Sequence, residues 1–226
     1  MAAETTQATS VGDNVYLRLK ADILFGRLAP GERLRLERLR DSYAASVSTL
    51  REILNRLSAE GFVLAEGQRG FQVMPVSASD LRDVAALRLL LEQHAMEQSF
   101  QAGDLDWEGA VLSAHHKLAH VEGRILKGET AQPDAWRQYD WEFHRALVSA
   151  CGSKALMAAY SAVYEKYLRY LMIALAFRGE ITAGEHRLLF DCALKRDIER
   201  AQDVLVQHVN SCVEYAIKTG RIADVR

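Results

Sequence analysis

The chain has 226 residues, 49% hydrophobic and 26% charged, with a formal net charge of −2. That is room for one large domain or two small ones, and the balance excludes wholesale disorder and collagen-like repetition. No apolar run approaches the ~20 residues that cross a bilayer, and the start MAAETTQATSVGDN lacks the order of a secretion signal, so no membrane partner and a cytoplasmic location are expected.

Three cysteines, Cys151, Cys192 and Cys212, are odd in number and widely spaced, so they read as packing residues rather than a disulfide framework or zinc clasp. An amphipathic stretch carrying Val15, Leu17, Leu19, Ile23 and Leu24 runs up to Pro30-Gly31, where the hydrophobic period breaks. Residues 36–43 (LERLRDSY) then predict a short helix and residues 44–46 (AAS) a break. Ser46 is placed to cap a second helix, VSTLREILNRLSAEG, that stops at Gly61. Helix, short turn, helix is the spacing of a helix-turn-helix, whose second helix enters the major groove of DNA.

Two short runs follow, FVLA at 62–65 and FQVM at 71–74, separated by EGQRG; they predict a hairpin, the sole strand signal in the chain. Its tip carries Arg69 and Gly70, where a wing meets phosphate. Within 15–57 there are 9 Lys+Arg against 5 Asp+Glu, an excess of base hidden by the overall average. The candidate DNA-contacting residues are Arg35, Arg38, Arg40, Ser46, Ser48, Thr49, Arg51, Arg69 and Gly70, with Arg33 a further phosphate candidate.

The chain divides near Val76. Residues 10–76 are expected to form a winged helix-turn-helix, and residues 77–222, where almost everything has helical spacing, an all-helical bundle; the fold class is mostly α. All seven histidines lie beyond residue 90. Asp140 and His144 stand four apart and share a helix face with Leu147 and Cys151. Burying acid and imidazole there is unfavourable unless something satisfies both, as a divalent metal does. His186 and His208 each lie eleven residues from Asp197, so an antiparallel helix pair turning there brings both to comparable depth. One Asp and three His suit Zn²⁺ first, with Ni²⁺ or Mn²⁺ as alternatives, and leave coordination positions open. His115, His116 and His120 lack a partner acid on their face and read as solvated or dimer-facing surface.

The stretch APGERLRLERLRDSYAASVSTLREILNRLSAEGFVLAEGQRGFQV resembles the DNA-binding domain of GntR-family bacterial transcription regulators. The landmarks are Pro30-Gly31, Ser46, Leu50-Arg51-Glu52 and Gly61-Phe62-Val63; Ala44 and Val47 stand where the family often has Gly and Arg. Residues 79–219 resemble the FCD domain of the FadR branch, and that resemblance implies metal ligation at Asp140, His144, His186 and His208. It also implies an Arg-x-x-x-Glu, here Arg88 and Glu92, whose arginine faces an effector pocket, and it puts Ser153 where many members have Asn. The stretch GQRGFQVMPVSASDLRDV is further similar to regulators that respond to five-carbon dicarboxylates. The implied protein is a non-enzymatic, metabolite-responsive regulator, a homodimer binding double-stranded operator DNA, with a small organic carboxylate as effector. The alternative from a different class is a metal-dependent hydrolase using the same Asp/His₃ set.

Overall fold

The computed structural model describes residues 11–129, 133–174 and 177–222. The chain divides into two compact units, Met1–Val76 and Ser77–Arg226.

In the first unit the elements are α1 (Val11–Leu24), β1 (Arg33–Leu34), α2 (Leu36–Tyr43), α3 (Val47–Ala59), β2 (Val63–Ala65) and β3 (Phe71–Val73), with one turn of 3₁₀ helix at Gly67–Arg69. Spacings of three and four place Leu19 and Ile23 of α1 and Leu50, Leu54 and Leu57 of α3 on stripes that close over one core with Leu39, Phe62 and Val73. Each such leucine contributes about 1.5–3 kcal/mol by leaving water. Ser46 Oγ accepts the Thr49 N–H at 3.1 Å, which starts α3 where the sequence placed it. Between α2 and α3 the chain turns through Ala44 at φ 50°, ψ 44°, a left-handed conformation at the position where the family often carries glycine.

The sheet corrects the sequence reading. It has three strands in the order β1-β3-β2, all antiparallel, with Arg33 opposite Gln72 and Leu64 also opposite Gln72 on the other side. β1 is two residues long, too short to show alternation, and exists because β3 offers it partners. Val73 N–H donates to Glu32 O at 2.9 Å, Gly31 N–H to Val73 O at 3.0 Å and Gln72 Nε2 to Gly31 O at 2.6 Å. Gly31 sits at φ +76°, which explains glycine after Pro30. The wing closes through Glu66 N–H on Gly70 O at 2.8 Å.

In the second unit, the helices among the described residues are α4 (Ala78–Ala102), α5 (Leu105–Leu126), α6 (Pro133–Val148), α7 (Lys154–Ala174), α8 (Glu180–Lys195) and α9 (Ile198–Lys218). Ser77, Asp104 and Asp197 cap α4, α5 and α9 by accepting the backbone N–H groups of Asp80, Trp107 and Arg200. α4 packs on α7 and α9, α5 on α6 and α8, and α8 on α9, so α4, α6, α8 and α9 can all send side chains to one interior. The three cysteines are buried and unpaired. Among the described residues no helix is long and apolar enough to cross a membrane.

Candidate functional site

The interior of the helical unit holds a polar cluster that an apolar core would not tolerate without compensation. His144 of α6, His186 of α8 and His208 of α9 are buried, and one ring nitrogen from each lies within 4.8 Å of the others. The turn at Asp197 does what the spacing predicts, because α8 and α9 run antiparallel from it and bring His186 and His208 to ring centroids 4.9 Å apart. Asp140, one turn before His144, is buried beside them with Oδ1 3.3 Å from His186 Nε2, although it is not part of the group of mutually close atoms. Its other oxygen accepts the Tyr164 hydroxyl at 2.6 Å.

Each imidazole is held from behind by a carboxylate that the sequence reading did not assign to the site. Glu92 Oε1 lies 2.7 Å from His144 Nδ1, Glu122 Oε1 2.8 Å from His186 Nδ1, and Glu185 Oε2 2.8 Å from His208 Nδ1. A carboxylate facing Nδ1 selects the tautomer with hydrogen there and leaves the lone pair on Nε2. The Nε2 of His144 is buried and makes no hydrogen bond among the described residues, and the buried Nε2 of His186 has only the 3.3 Å approach of Asp140 Oδ1. A sequence signal for these acids existed. Glu92, Glu122 and Glu185 each fall on the buried stripe of their own helix, with Arg88 and Ala95, with Leu118, and with Thr182 and Leu189 respectively. An acid on an apolar stripe needs a partner.

Arg88 is fully buried. Its Nε donates to Glu92 Oε2 at 2.7 Å, its Nη2 is 3.1 Å from His144 Nδ1, and its guanidinium carbon lies 4.4 Å from the ring centres of both Tyr164 and Tyr167. The pairing with Glu92 is real, but it belongs to the core, where it is bound to the imidazole cluster. Ser153 caps α7 by accepting Leu156 N–H at 3.2 Å.

The electrostatics follow from burial and neighbours. Burial alone would raise Glu92, but Arg88 and His144 outweigh it and hold the carboxyl at about 2. Asp140, opposed by the same burial, is held far below the ordinary carboxylate range by His186 and His144. Burial would lower His186, yet Asp140 and Glu122 push it up to about 9; His208 falls to about 3 because burial dominates. Around the three rings stand four carboxylates (Glu92, Glu122, Asp140, Glu185) and two guanidiniums, Arg88 and the Arg178 that pairs with Glu185. With His186 protonated the deficit is one positive charge; with all three imidazoles neutral, as ligands to an ion would be, it is two, the charge of one divalent cation. Ligand type, free nitrogens and charge all fit such an ion.

One histidine departs from expectation. His115 is half-buried rather than solvated, stacked on Phe190 at 4.3 Å with planes 8° apart and 5.4 Å from Phe143; His116 and His120 are exposed.

In the first unit, a groove of about 690 Å³ runs between β1, α2, α3 and the wing, lined by Arg33, Arg35, Arg51, Asn55, Arg69 and Gly70 among others. None of the four guanidiniums in it forms an ion pair among the described residues, although Glu37 lines the same groove. Elsewhere in the unit Arg27, Arg38, Arg40 and Arg56 pair with Asp22, Glu32, Asp41 and Glu60. The structure thus separates the candidates. Arg35, Arg51, Arg69 and Gly70 come together, while Arg38 and Arg40 are exposed residues engaged with their own acids. Ser46, Ser48 and Thr49 form a hydroxyl cluster at the start of α3, with Ser46 Oγ 2.8 Å from Ser48 Oγ and 2.9 Å from Thr49 Oγ1. Thr49 lines a different depression, with Tyr16 and Arg56. Asn55, which lines the groove with Arg51, is not among the candidates that the sequence offers.

The chain matches two families in sequence: the gntR family of bacterial regulatory proteins over residues 12–73 and the FCD domain over residues 83–211. It is 37% identical over 213 residues to the uncharacterized HTH-type transcriptional regulator BphR of Paraburkholderia xenovorans, covering 93% of this chain and 87% of that one. It is 31% identical over 202 residues to the HTH-type transcriptional repressor GlaR of Escherichia coli, covering 86% and 90%. Among solved structures, E. coli McbR/YncC shares the fold at a TM-score of 0.75 with 17% identity, over 93% of this chain and 99% of that one. The two curated relatives are named as regulators, and the hydrolytic alternative finds no support among them. With a helix-turn-helix and small antiparallel sheet at one end of the sequence and helices around a polar centre at the other, the chain belongs to the GntR family of bacterial transcriptional regulators, with a C-terminal FCD domain.

Proposed function

We propose that this regulator is metabolite-responsive, with residues 10–76 gripping operator DNA and residues 77–222 holding a divalent metal, Zn²⁺ first, as part of the seat for a small organic carboxylate. The carrying observation is the buried Nε2 of His144, unpartnered among the described residues, next to the Nε2 of His186, which meets Asp140 Oδ1 at 3.3 Å; on both rings Nδ1 is fixed by a glutamate. His144, His186 and His208 would hold the ion, with Asp140 beside His186 as the fourth ligand. Bound there, such an ion would supply Lewis acidity toward a carboxylate oxygen.

The chain's own residues do the rest. Glu92, Glu122 and Glu185 orient the rings. Arg88, locked by Glu92 and two tyrosine faces, presents a charge whose desolvation has already occurred, so a carboxylate meets a prepared partner. On DNA, Arg33, Arg35 and Arg69, which form no ion pair among the described residues, take phosphates while Arg51 of α3 reaches base edges. A homodimer on a two-fold operator suits such a unit, and effector binding shifts operator affinity by the difference in its affinity for the two arrangements.

The test is elemental analysis of protein purified without chelator or affinity tag, followed by thermal-shift screening of the metal-loaded protein against small mono- and dicarboxylic acids. The expected result is about one equivalent of metal per chain, lost in His186→Ala, and stabilisation by one class of acid. Metal-free protein that takes up no zinc would end the proposal.

A further inference from the structure

Among the described side chains that line the groove beside α3, one is neutral and able to read a base, Asn55. It is exposed, lies one turn beyond Arg51 on the same face, and lines the groove with Arg33, Arg35, Arg51 and Arg69. Val47, one turn before Arg51, continues the same line and is itself 37% exposed. The hydroxyls at the start of the helix are tied to one another around the Ser46 cap, and Thr49 faces the α1 side. The side chains of α3 that line the wing-side groove are therefore Arg51 and Asn55.

We infer that Asn55 is a specificity-determining residue of the DNA interface, reading an adenine in the major groove. The chemistry selects this role over a backbone contact. The surrounding guanidiniums, unpaired among the described residues, already supply positive charge for phosphate, to which a neutral amide adds little. A carboxamide presents one acceptor and two donors side by side, complementary to the N6 amino group and N7 of adenine; guanine offers two acceptors there and suits Arg51. Four residues of helix rise about 6 Å, so the two readers address different base pairs along the groove. The inference rests on the reading that α3 enters the major groove, and the experiment separates the two.

The test is selection of bound sequences from a random duplex pool with the full-length chain, then affinities for single-base variants of the selected site and for an unrelated duplex. Asn55→Ala lies on an exposed helical position, where alanine is the better helix former, and circular dichroism checks its folding. For wild type, one position prefers adenine. In Asn55→Ala that preference falls by about 5- to 150-fold, while the other positions and unrelated-duplex binding stay unchanged. Asn55→Asp, which accepts from the cytosine amino group, moves the preference there from adenine to cytosine. Uniform weakening on every sequence, or an unchanged profile, overturns the role of Asn55. A wild-type chain that selects nothing from the pool and binds no duplex overturns instead the placement of α3 in the groove.

Discussion

Glu185 and His208 form a pair across α8 and α9 in which one carboxylate oxygen serves two donors: Oε2 accepts from His208 Nδ1 at 2.8 Å and also receives Arg178. Its neighbour in sequence, His186, points to Glu122 and Asp140 instead. Two adjacent residues of one helix thus support two different imidazoles.

Glu185→Gln keeps the shape but removes the charge that Arg178 and His208 share. Metal affinity should drop about 10- to 100-fold, the usual effect of losing such a support. Competition with a chromophoric chelator measures it; an unchanged affinity would separate Glu185 from the site.

Metal should also stabilise the fold. Zinc at a hundred times its Kd adds about 2.7 kcal/mol to the folded state, so chelation lowers the melting temperature of the wild-type chain. His144→Ala should show no zinc-dependent shift.

Ala44 holds the turn before α3 in a left-handed conformation. An L-residue there costs roughly 1–2 kcal/mol, against about 0.4–1 kcal/mol of extra unfolded-state entropy for glycine. Ala44→Gly should therefore stabilise the first unit by roughly 0.5–1 kcal/mol, read as a higher urea midpoint at unchanged slope.

Arg196 staples three helix ends. Its Nη2 donates to Gly103 O at 2.9 Å and to Glu108 at 2.6 Å, and its guanidinium carbon lies 4.2 Å from the Trp107 ring centre. Arg196→Ala should cost roughly 1–3 kcal/mol, since it strips a charged donor from a helix-end carbonyl. Arg196→Lys should recover only part, because an ammonium lacks the planar fork.

The acid limb of stability has one identifiable contributor in the first unit. Partial burial tends to raise the Glu60 carboxyl, but hydrogen bonds from Lys20 and Tyr16 outweigh it and hold it below its ordinary value. A depressed folded-state pKa gives stability that is present above the unfolded value of about 4.3 and lost as pH falls through the folded one. Glu60→Gln should flatten the decline of stability below about pH 4.3; an identical decline in both proteins would refute the assignment.

Much of this was legible in the residues. Ser46, the apolar stripes and the symmetric spacing of His186 and His208 about Asp197 are local facts, because a helix's period, cap and turn depend on neighbours a few positions away. The wing hairpin was legible for the same reason. β1 was not, since two residues carry no period and become a strand only when β3 supplies hydrogen-bond partners.

The sequence by itself determined the order of elements, which histidines share depth, and the surplus of arginine in the first unit. Only the tertiary structure decided which acid stands behind which imidazole, that His115 stacks on Phe190, and which arginines form no ion pair among the described residues in the groove while Arg38 and Arg40 are engaged elsewhere. The physical reason is range: backbone period and capping are set within one or two turns, whereas a charge pair between helices depends on how packing fixes their mutual register.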